Sequence, residues 1–106
     1  MADGDPNPSW RPSVEDVAAI IPARTKVRGG TQVDTFQDAN PSADPPLAPT
    51  NPTATRVERL IDNACRRVSS RIGGPTICQN DKGLEDDAKE AAAIYTAMLI
   101  EQGYML

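Results

Sequence analysis

The sequence has no histidine and only two cysteines, Cys65 and Cys78. The first absence removes the commonest general base and a common zinc ligand, and the two cysteines lie too far apart for a Cys-x-x-Cys pair. No Gly-rich phosphate loop and no Ser, His and Asp constellation occurs either. Positive charge is scarce: 11 basic side chains stand against 15 acidic ones, a net charge of −4, which argues against a dedicated duplex binder. With aromatics at 4% of the chain, no aromatic-studded basic stripe for single strands is present. No apolar run approaches bilayer length, and Met1 to Pro8 is polar where a signal peptide is basic and then apolar. These absences predict a protein that is not an enzyme, holds no cofactor or metal, contacts no membrane, and works in the cytoplasm or a virion.

Apolar side chains are also nearly missing from a long internal stretch. From Gly29 to Pro52 only Val33, Phe36 and Leu47 stand out, while Pro41, Pro45, Pro46, Pro49 and Pro52 all fall there. Residues 29–52 therefore read as an extended arm, poorly packed by itself from Gln37 to Pro52. Just before it, Thr25 to Val27 and Thr31 to Phe36 flank Arg28, Gly29 and Gly30, which reads as a short two-stranded ribbon with a glycine turn.

Helical patterning is what the rest of the chain has in quantity. Ser13, with Asp16 three residues on, resembles a capping box for a short helix carrying Val14, Val17 and Ile21 inward and stopped by Pro22. Trp10 is expected to staple its start, a surface anchor for a partner being the alternative. A main helix capped by Thr53 carries Val57, Leu60, Ile61, Ala64, Cys65, Val68 and Ile72 on one stripe, and Gly73, Gly74 and Pro75 are placed to end it. Cys65 on that stripe reads as a buried thiol; Cys78 in the following loop is either free or paired.

The last helix, expected to start near Leu84, has two apolar sides. Leu84, Ala88, Ala91, Tyr95, Met98 and Leu99 form the stripe assigned to the core. Ala93, Ala97, Ile100 and Tyr104 lie opposite and are assigned to a contact between subunits, because a helix apolar all round is normally buried all round. Glu85, Asp86 and Asp87 open this helix where its macrodipole favours negative charge, and they read as that rather than as a cation site. The polar side of the main helix holds Arg56, Arg59, Arg66 and Arg67, either merely solvated or a docking surface. In a ring, this cationic side would face a neighbour's Glu85, Asp86, Asp87 and Glu90.

The succession PSVEDVAAIIPART at Pro12 to Thr25, PTATRVERLIDNACRRVSSRIG at Pro52 to Gly73 and AKEAAAIYTAMLIEQGY at Ala88 to Tyr104, with Thr35 and Phe36 as a Thr-Phe turn, resembles the head-to-tail adaptor proteins of long-tailed phages infecting actinobacteria. The likeness covers most of residues 12–104, with an arm longer than is usual. It implies a structural subunit that forms a ring, typically of twelve copies, between the capsid portal and the next connector or tail protein. Genomic DNA would pass through that ring without sequence-specific binding. The expectation is a mainly α protein, a small bundle of three principal helices, with an N-terminal segment over 1–11 and an adaptor domain over 12–106. Two other classes stay open: a helix-turn-helix regulator using the arginine helix, and a small partner-binding protein of toxin or antitoxin type.

Overall fold

The structure, a computed structural model, describes residues 8–27, 30–72 and 81–105, and the side chains of Tyr104 and Met105 lie outside that description. It is mainly helical: α1 spans Val14–Ile20, α2 Ala54–Ile72 and α3 Lys82–Met105, with a 3-10 turn at Pro22–Arg24. α3 packs on both α2 and α1 and forms the spine of the bundle.

Each helix begins where a side chain can accept from the free amides of its first turn. Ser13 Oγ accepts from the Asp16 amide at 3.1 Å and the Asp16 carboxylate accepts from the Ser13 amide at 2.9 Å, the reciprocal box that the sequence predicts. Thr53 Oγ1 accepts from the Arg56 amide at 3.2 Å. Asp81 Oδ1 accepts from the Leu84 amide at 3.0 Å, which starts α3 at Lys82, a little before Leu84. Gly73, Gly74, Pro75 and Cys78 lie outside the described residues.

Val14, Val17, Val57, Ile61, Ala64 and Cys65 are buried at the centre, and Ile21, Leu60, Val68, Ile72 and Tyr95 pack against them half-buried. Trp10 belongs to this core at 1% exposure. Beside it, Arg11 donates through Nε and Nη2 to Asp62 Oδ1 at 3.1 and 3.0 Å, so the expected N-terminal segment joins the body from Trp10 onward.

The expected division of α3 is corrected. Ala93, Ala97 and Ile100, assigned to a contact between subunits, are 5%, 4% and 3% exposed and sit in the chain's own core with Ala88 and Ala92. Met98, assigned to the core, is 48% exposed; Leu84 is 40% exposed, Ala91 is exposed and Leu99 is half-buried. Both stripes repeat at helical spacing, so period alone cannot rank them. Packing does: Ala88, Ala92, Ala93 and Ala97 let the neighbouring helices approach closely, with Ile100 buried beside them, while Ala91, Ile94 and Met98 stay outside.

Between α1 and α2 the chain is held by short local pairings. Lys26 pairs with Gln32 across a turn in which Gly30, at φ 89, donates to Val27 O at 2.9 Å, a conformation that favours glycine. The expected ribbon is thus reduced to isolated bridges among the described residues. Phe36, 2% exposed, anchors the next segment, and Thr50 Oγ1 accepts from the Gln37 amide at 2.8 Å. Residues 37–52 therefore return to the body at both ends, with Asn40 and Leu47 bridged across an exposed tip.

Candidate functional site

Among the described residues no group of metal-ligating side chains converges, and no helix is long and apolar enough to cross a membrane. The fold instead displays two outward rows on different helices.

The first row runs along α3. Leu84, Ala91, Ile94 and Met98 recur at helical spacing on the side away from Ala92 and Thr96, and all four are exposed. Leu84, Ala91 and Met98 are seven residues apart, the repeat of a helix-to-helix seam. Asp87 and Glu90 flank this row, exposed and without an ion pair among the described residues. The other two acids of the expected set are engaged within the chain: Lys82 Nζ lies 3.0 Å from Asp86 Oδ1 and 3.8 Å from Glu85 Oε1, and Glu85 also accepts from Ser9 Oγ at 2.8 Å. The Asp86 carboxylate, through its hydrogen bond, raises the Lys82 pKa above its ordinary 10.5.

The second row runs along α2. Arg56, Arg59, Asn63, Arg66 and Ser70 recur every third or fourth residue, and all are exposed. Arg66 donates to Asn63 Oδ1, while the guanidinia of Arg56 and Arg59 have no partner among the described residues. No acid lies within this stripe. Asp62, at its edge, is engaged by Arg11, and Arg67, at the other edge, sits 5.9 Å over the Tyr95 ring. Arg56, Arg59, Asp62, Asn63 and Arg66 surround an open hollow of about 390 Å³ that Leu60 also lines.

Several contacts that steady these rows are not legible from sequence spacing. Arg24 donates through Nε and Nη2 to the two oxygens of Glu101, each at 2.7 Å, a fork that holds the Glu101 carboxyl below its ordinary pKa of 4.5. Asp16, held below 3.8 first by the Ser13 amide, also lies 3.6 Å from Lys89 Nζ and ties α1 to α3. Asp38 accepts from the Thr55 hydroxyl at 2.5 Å and from its amide at 2.9 Å; the hydroxyl bond is the main cause of its lowered pKa. That contact latches the 37–52 segment to the first turn of α2. Partners 17 to 77 residues apart carry no local pattern, so only the opposite charges of Arg24 with Glu101 and of Asp16 with Lys89 were available as hints. Cys65 is buried, and desolvation pushes its thiol up to about 11, which suits packing rather than reactivity.

No protein-family model, characterised protein or solved structure matches the chain.

Proposed function

We propose that this chain is a structural subunit of a phage virion, one of a ring of about twelve copies between the capsid portal and the downstream connector or tail protein. The ring extends the DNA channel and joins head to tail without catalysis, cofactor or base-specific contact. The observation that carries the reading is the outward row of α3: Leu84, Ile94 and Met98 lie exposed on a helix whose other side already completes the core. Large side chains in register on a charged chain of this size fit burial against another polypeptide. The resemblance to head-to-tail adaptors supplies the identity of that assembly.

Electron microscopy of the native particle tests this directly. The expected result is a rotationally symmetric ring of this chain at the capsid–tail junction. Particles that join tails normally without the chain would overturn it.

The arginine row of α2 is the one feature that favours a DNA-binding regulator. Against that reading, the connection from Ile72 to Lys82 is longer than the tight turn of a helix-turn-helix, and the exposed side of the following helix is acidic and apolar. A duplex affinity that falls steeply with salt would favour the regulator.

A further inference from the structure

We infer that the outward row of α3 on one copy docks onto the arginine row of α2 on the next copy, so that the chain associates head to tail through two different surfaces. This deepens the assembly reading and rests on it.

Charge selects the pairing. The α3 row carries Asp87 and Glu90 beside its apolar residues, both exposed and outside any ion pair among the described residues. The α2 row carries Arg56, Arg59 and Arg66 with no acid among them, and Asp62, the acid that lines the same hollow, is taken up by Arg11. Two copies meeting α3 to α3 would bring like carboxylates together whether the helices ran parallel or antiparallel. Two meeting α2 to α2 would bring guanidinia together. Only α3 against α2 places opposite charges face to face, with the Ile94 and Met98 side chains against the Leu60-lined hollow and the aliphatic stems of the arginines. A contact between two different patches is heterologous, and repetition of it closes a ring or extends a filament. An isologous pair would stop at a dimer.

The arrangement has a specific genetic signature. Arg59→Glu with Arg66→Glu makes both rows acidic, and Asp87→Lys with Glu90→Lys makes both rows basic. Each double variant by itself should show self-association weakened roughly tenfold or more in sedimentation velocity, with helix content and melting unchanged. Mixed in equal amounts, the two should associate again, in alternation, because every α3 row then meets an α2 row of opposite charge. The same recovery is expected when all four changes are placed in one chain.

Three results would overturn the inference. One is a wild-type chain that stays monomeric at its highest soluble concentration. Another is an arginine variant that associates like the wild type. The third is a pair of weakened variants that do not recover on mixing. If the arginine variant associates normally but loses salt-sensitive binding to a DNA duplex, the α2 row belongs to nucleic acid instead. All of these leave the ring in the particle to be judged separately by its own micrographs, so failure of the docking contact and failure of the connector reading are distinguishable.

Discussion

Two threonines separate a hydroxyl that is hydrogen-bonded from one that is not. Thr25, 1% exposed, can donate to the carbonyl of Pro22 or Val33, each at 2.8 Å, and accepts from Gln32 Nε2 at 2.6 Å. Thr35 is half-buried, and its Oγ1 is buried with no partner among the described residues. An unmade hydrogen bond costs the desolvation of the group, whereas an apolar replacement of the same shape does not. Thr35→Val should therefore leave stability unchanged or raise it by up to about 1 kcal/mol, and Thr25→Val should lower it by about 1–3 kcal/mol, both read from urea unfolding.

The elements are fastened to one another by polar contacts at their margins as well as by the core. Asp16 to Lys89, Arg24 to Glu101 and Asp38 to Thr55 each join two different parts of the chain, and the three carboxyls all have native pKa values below their ordinary 3.8 or 4.5. A depressed carboxyl contributes stability that is fully present above its ordinary value and disappears as the pH falls through the native one. Melting temperature should accordingly be flat from neutral pH down to about 5 and fall below about 4, and Glu101→Gln should flatten part of that fall in a pH series of thermal scans. The apolar side of α3 makes a sharper demand. Ala97 is 4% exposed against the core, so Ala97→Glu would bury an unpaired carboxylate at a cost of several kcal/mol and should abolish cooperative unfolding by circular dichroism. That outcome differs from the one its assignment to a subunit contact would give, namely a folded chain that fails to assemble.

At the scale of the whole molecule, a single thin core is complete without the outward row of α3. Ile94 is 45% exposed, so Ile94→Glu should keep helix content and melting within about 0.5 kcal/mol of the parent, the range of ordinary surface changes. In sedimentation velocity the same substitution should remove the larger species expected of the parent. A variant that unfolds would show that this side chain serves the fold and not the assembly.

Much of the fold is written locally in this chain. Ser13 with Asp16 and Thr53 with Arg56 mark helix starts because a cap needs only residues a turn apart, and the α2 stripe from Val57 to Ile72 is readable because its opposite side is strongly polar. The mainly helical class and the outward arginines follow from those local patterns. α3 is different: Ala91 to Ile100 is apolar on nearly every side, so its sequence states that it will be buried without stating where. Only packing decided that Ala92, Ala93, Ala97 and Ile100 go in and Ala91, Ile94 and Met98 stay out, because the distance of closest approach between helices is set jointly by both surfaces. The clamps Arg24 to Glu101 and Asp38 to Thr55 were decided in the same way, by residues far apart in sequence that meet only once the bundle has formed.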